Sequence, residues 1–134
     1  MKKLLVLAVA FVAILPACSN QPKSDIGLVD TTRIQAIWPK FINYENQLNA
    51  DGAAIQRSTA PAAQKQREAA DFQRRYLSAQ TELTDDVRNA AKQVAADRGL
   101  KYVFTREYVG YGGIDITSDV EKILKIDDKA TPRP

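Results

Sequence analysis

Ile34, Phe41, Leu48 and Ile55 recur every seven residues, with Ile37 and Tyr44 three residues after the first two. After a break the interval returns at Tyr76, Leu83 and Ala90, with Val87 and Val94 at the intervening positions. Phe72, Ala79 and Ala91 widen this second stripe. Each set is one apolar seam on an otherwise polar helix, the a/d pattern of a coiled coil, and such a seam needs a partner helix to bury it. Ser58-Thr59-Ala60-Pro61 interrupts the period, and residues 62–98 contain no Gly or Pro and are rich in Ala, Gln, Glu, Lys and Arg, all good helix formers. The spacing predicts a long antiparallel helical (coiled-coil) hairpin over about 32–98, with arms of roughly 40 Å at 1.5 Å rise per residue. Pro39 disfavours helical geometry at Trp38 and predicts a kink or a fresh helix start. Gly52 weakens the distal seam, Gly99 suits a C-cap, and Thr31 and Thr32 offer N-cap oxygens.

On both sides of the hairpin the period changes. Ile26-Gly27-Leu28-Val29-Asp30 is a short apolar run that predicts one buried strand at about 26–30. Leu100-Lys101-Tyr102-Val103-Phe104-Thr105-Arg106-Glu107-Tyr108 is rich in β-branched and aromatic residues, and Val109-Gly110-Tyr111-Gly112-Gly113 adds glycines suited to a tight bend. Together they predict a two-stranded hairpin with strands at about 101–106 and 108–112. A short amphipathic helix follows at about 117–125, with Ser118 and Glu121 at capping-box spacing. The tail, residues 127–134, is expected to be disordered. The fold class is therefore α+β, a helical hairpin inserted in a small strand domain.

Three strands are too few for a self-sufficient sheet, and a helical hairpin alone has little core. The strand domain is expected to bury its apolar face against further copies of the chain. The contact residues expected in that oligomerisation domain are Leu28, Val29, Tyr102, Val103, Phe104, Val109 and Tyr111. Trp38, Phe41 and Tyr44 read as packed seam residues near the root of the arm. Periodicity leaves the copy number open.

Met1-Lys2-Lys3 is a short positive segment, and residues 4–15 are twelve apolar residues in a row. They span about 18 Å as helix, too short for the ~30 Å core of a bilayer. The pattern reads as a secretory signal over residues 1–17. Leu15-Pro16-Ala17-Cys18 resembles a bacterial lipobox, which implies cleavage before Cys18 and a lipid anchor on that cysteine. Residues 18–25 form a polar tether. Without the signal the chain holds 17 basic against 16 acidic residues, so the formal +3 of the whole sequence is no argument for nucleic-acid binding. By analogy with well-studied bacteria of two membranes, Ser19 after the cysteine favours the outer over the inner membrane.

Histidine is absent and Cys18 is the single cysteine, which excludes a disulfide framework, a Cys/His zinc site and any His-based triad. Asp85-Asp86 sit about 100° apart on a helix, so they cannot face one substrate together and read as solvated charges. Gly110-Tyr111-Gly112-Gly113 lacks the spacing of a phosphate loop. No enzyme and no cofactor are expected. One charge asymmetry stands out near the turn: Arg57, Lys65, Arg67, Arg74 and Arg75 against Glu68 and Asp71. These five cations read as a cationic arm tip that could attract acidic clients or lipid headgroups at long range.

The order of elements resembles the Skp/OmpH family of periplasmic chaperones. Gly27-Leu28-Val29-Asp30 opens the fold, and Leu100-Lys101-Tyr102-Val103-Phe104 matches the returning strand. Asp115-Ile116-Thr117-Ser118-Asp119-Val120 resembles the family's closing motif. The likeness covers roughly residues 26–126. It implies a jellyfish-like homotrimer in which strands from three chains form a hub and helical arms enclose a cavity. It also implies an ATP-independent holdase for unfolded outer-membrane proteins on the periplasmic side of the envelope. The arms here are shorter than in the best-known members, so the cavity should be smaller. The competing reading is a non-catalytic structural lipoprotein whose coiled arms tether or space envelope components.

Overall fold

The computed structural model describes residues 24–126. The signal segment, Cys18 and the tail from residue 127 lie outside them. The element order is β1 (Ile26–Val29), α1 (Thr31–Ile37), α2 (Pro39–Arg57), α3 (Ala62–Arg98), β2 (Tyr102–Thr105), a 3-10 turn at Arg106–Tyr108, β3 (Ile114–Asp115) and α4 (Thr117–Ile123). The fold is α+β, with a long α3 and a small three-stranded sheet.

The helical breaks fall where local chemistry puts them. Trp38 is extended (φ −79°, ψ 112°) between α1 and α2, and Pro39 occupies the first turn of α2, where its missing N–H costs nothing. Gly99 ends α3 in the left-handed region, and Leu100 N–H donates to Ala95 O at 2.8 Å. The cap of α1 differs from expectation. Asp30 takes that role, its Oδ1 accepting from Arg33 N–H at 2.8 Å. The Thr31 and Thr32 hydroxyls turn outward and donate to Glu107, at 3.2 and 2.9 Å.

The sheet order is β2-β1-β3, with both neighbours parallel to β1. Ile26 faces Tyr102 and Val29 faces Thr105 on one side; Gly27 faces Ile114 on the other. The expected hairpin over 101–112 is not formed, and residues 108–112 are not a strand. After β2 the 3-10 turn redirects the chain, and Gly112 and Gly113, both with φ above +80°, carry it past β1 to its far edge. The physical reason is burial. Leu28 and Val29 are fully covered only when β1 has a neighbour on each side, whereas residues 110–113 are all exposed.

The core sits where the sheet meets α1, the end of α3 and α4. Val29, Ile34, Trp38, Val94, Ile116 and Val120 are among its buried members. By contrast α2 has no buried residue at all. It nonetheless runs antiparallel beside α3: Lys40 meets Asp86, Tyr44 meets Glu82, and Asp51 meets Arg75.

Candidate client-binding groove

The root of the molecule is locked by the segment Asp115-Ile116-Thr117-Ser118-Asp119-Val120. The Asp115 carboxylate accepts from the Thr117 hydroxyl at 2.6 Å and from Thr117 N–H at 2.9 Å, and it pairs with Arg106. The Thr117 hydroxyl in turn accepts from Asp30 N–H at 2.9 Å. Ile116 N–H donates to Leu28 O at 2.9 Å, Asp119 pairs with Arg98, and Val120 is fully buried. Burial pushes the Asp115 carboxyl up, but the Thr117 hydroxyl and amide and the Arg106 charge outweigh it and hold it below the usual range. Gly27 completes the fit, because a Cβ there would come within 2.9 Å of Leu100 Cδ1.

Glu121 is not a capping residue. Its side chain is 2% exposed and pairs with Arg33 at 2.8 Å, fastening α4 to α1. The α4 cap position falls to Ile116, with no side-chain bond, so the Ser118–Glu121 capping box is absent.

Where α2 begins, Lys40 reaches two carboxylates of α3, Glu82 at 2.5 Å and Asp86 at 2.6 Å. Hydrogen bonds to Asp86 and then Glu82 keep the Lys40 ammonium charged well beyond its ordinary range. Lys40 and the Tyr44 hydroxyl hold the Glu82 carboxyl below its own. Asp85 faces away and pairs with Arg88. The adjacent carboxylates thus diverge, and each has its own cation rather than water alone. Sequence reading missed this cluster; the i, i+4 spacing of Glu82 and Asp86 opposite a lysine just after Pro39 was the available signal.

On one face of α2 and α3 lies a groove of ≈ 1090 Å³. Phe41 and Leu48 floor it from α2 and Trp38 from the break before that helix, with Leu83, Val87 and Ala91 on α3. Leu100, Val103 and Phe104 close its sheet end, so the apolar seam leaves a channel that the chain does not fill.

The other expected site residues separate into three places. Leu28 and Val29 are buried by their own chain, and Val103 packs half-buried against the core. Tyr102 and Phe104 stack on each other with ring centroids 6.4 Å apart and stay 59% and 46% exposed beside the outer edge of β2. Val109 is half-buried and Tyr111 fully exposed in the following loop. At the arm tip Arg74 pairs with Asp71 and Arg75 with Asp51. Arg57 bonds only its own helix at Ala53 O, 3.1 Å, and among the described residues Arg57, Lys65 and Arg67 form no ion pair.

A family model described as "Outer membrane protein (OmpH-like)" matches residues 43–124, more than half of the chain. The chain belongs to the OmpH-like family. Comparisons with the curated proteins and with the solved structures return no match. The OmpH-like match takes in most of α2, all of α3 and the closing lock, and leaves β1 and α1 outside. The OmpH-like family has a periplasmic chaperone role that involves no enzymatic step. Among the described residues, none are grouped so as to hold a metal ion, and no helix is long and apolar enough to cross a membrane.

Proposed function

We propose that this chain is an ATP-independent holdase that binds unfolded outer-membrane proteins between the two membranes. The observation that carries the reading is the open ≈ 1090 Å³ groove with an apolar floor, in a member of a chaperone family. In this reading α2 and α3 are the two legs of a coiled helical hairpin, and three chains join through their strand domains into a homotrimer. The stacked Tyr102 and Phe104, with Val109 and Tyr111 in the next loop, form the joint from outside, while Leu28, Val29 and Val103 brace it from within. Three arms then enclose one shared cavity, and many weak contacts within it hold a client far longer than any single contact does. A client so held cannot pair its strand edges with those of another.

The tip cations Arg57, Lys65, Arg67, Arg74 and Arg75 draw acidic clients toward the arms over about a Debye length, ~8 Å at physiological salt. Cys18 carries the lipid that keeps the protein on the periplasmic side of the envelope, at the outer rather than the inner membrane. The mature chain at stoichiometric trimer should suppress light scattering from a β-barrel membrane protein diluted out of urea. Undiminished scattering, with a native mass of one chain at micromolar concentration, would reject both the cage and the role.

A further inference from the structure

The loop from Arg106 to Gly113 is fastened more firmly than its own surroundings require. Seven of its eight residues are exposed and Val109 is half-buried, so none of it belongs to the core. Glycines at 110, 112 and 113 give it more backbone freedom to lose on ordering than other residues would. It is nevertheless pinned at three places. The Glu107 carboxylate accepts from the Thr31 hydroxyl at 3.2 Å, the Thr32 hydroxyl at 2.9 Å and the Thr32 N–H at 3.4 Å. Its own N–H and then the Thr32 hydroxyl hold that carboxyl below its usual range, so the charged form does the accepting. Arg106, just past β2, pairs with Asp115 of β3 and so spans β1, which lies between those strands. Gly113 lies so close to Leu28 that a Cβ there would come within 2.8 Å of Leu28 Cγ.

The loop adjoins one face of the sheet. Val29 enters the helical core, and a Cβ on Gly27 would meet Leu100 and Ile116, so by alternation Leu28 points the other way. Phe104 stands in register with Leu28, and Tyr102 with Ile26, which puts both rings on that outer face. They remain largely open to water there. Covering Leu28 takes only Gly113; the rest of the loop, with Tyr108 88% and Tyr111 100% exposed, is ordered without burial in return. The gain from ordering it therefore lies outside the chain. A second copy is the partner that fits, because β2 is an open edge of a three-stranded sheet that is too small to stand alone.

We infer that Glu107 is a positioning residue for assembly: bound to Thr31 and Thr32, it sets the 106–113 loop in the shape that a second copy of the chain meets at Tyr111. The loop is thereby prepared before contact, and the joint forms without the cost of ordering it. The latch also ties the joint to α1, the helix that leads into the arm. The inference rests on the homotrimer reading for the identity of the partner, and on the loop's geometry alone for the part that Glu107 plays.

Native mass against concentration, measured by sedimentation on the mature chain without its lipid, is the test. Glu107→Ala should raise the concentration of half-assembly about tenfold or more, because each joint must then order its own loop. Glu107→Gln keeps an accepting oxygen and should stay within about threefold of the parent. Tyr111→Ser should also weaken assembly, and Glu107→Ala added to it should cost little more, since the latch acts through that ring. The urea midpoint of the unassembled chain, read at low concentration, should be unmoved by Glu107→Ala. Should it fall, Thr31→Val combined with Thr32→Val must reproduce the assembly loss at an unmoved midpoint. Unchanged assembly in Glu107→Ala, losses that add in the double variant, or a loss that only follows the urea midpoint each overturn the inference and leave the homotrimer standing. A parent chain that stays single at every concentration overturns the homotrimer reading itself, and this inference with it.

Discussion

The two ends of the arm are built on different physics. At the root Ile34, Trp38, Val94, Ile116 and Val120 are buried, and the polar groups among them are tied into bonds that cross from one end of the chain to the other. Toward the tip the same two helices continue with no buried side chain from residue 39 to residue 78, and their cross-links are ion pairs such as Arg75–Asp51. Tyr76 is 43% exposed although it belongs to the apolar seam, and Leu77 beside it is 50% exposed. The root therefore stores stability in removal of apolar surface from water, while the tip relies on helix propensity and solvated charge, which are worth far less per residue. A well-buried base thus carries a loosely buried, charged extremity.

The largest test of that contrast is a pair of truncations. Ile116→Ala should cost about 2–5 kcal/mol in urea unfolding, whereas Leu48→Ala, half-buried on α2, should cost about 1 kcal/mol or less. Equal losses would erase the distinction.

Next in size is a comparison of ion pairs. Arg33→Met takes the guanidinium from a carboxylate whose side chain is 2% exposed. It should cost roughly 2 kcal/mol, less than the fully buried case because Arg33 itself is half open to water. Arg74→Met breaks a pair exposed on both sides and should shift stability by about 0.5 kcal/mol or less.

Acid should then act on the root through Asp115. Its folded carboxyl is held below the unfolded one, so its stabilisation is complete above the ordinary carboxylate range near pH 4 and is lost as pH falls through the lower folded value. Asp115→Asn should flatten the acid limb of a stability–pH curve from urea unfolding; an unchanged limb would show that the lock does not depend on the charge.

The smallest thermodynamic effect is expected at the tip. Replacing Arg57, Lys65 and Arg67 with Gln should leave the melting temperature within about 2 °C while slowing client capture at low salt. Capture that stays equally fast in stopped flow would remove the tip from the mechanism.

The helices were legible in the sequence because their signals are local. Seven-residue spacing, Pro39 and Gly99 act within a turn or two of themselves, and α2 and α3 begin and end there. The sheet was not legible, because β1 chooses partners about 76 and 87 residues away, and no local pattern states that choice. The glycines at 110, 112 and 113 fit a hairpin as well as a crossover until the need to flank Leu28 on both sides decides between them. Asp30 outcompeted two threonines as cap because Glu107, distant in sequence, drew their hydroxyls away. Of the candidate site, the cations and the exposed aromatics could be named from composition, but the groove is a space between elements and belongs to no residue.

The central place of β1 also orders events in time. A chain that emerges from its N-terminus makes this strand first and must keep it waiting until nearly ninety more residues have appeared, while α2 and α3 can already zip together. Loss of the last dozen described residues would strip β1 of its α4 cover, so a prematurely stopped product would display helices around an unfinished, sticky centre. The sheet is therefore finished only once β3 and α4 have been made.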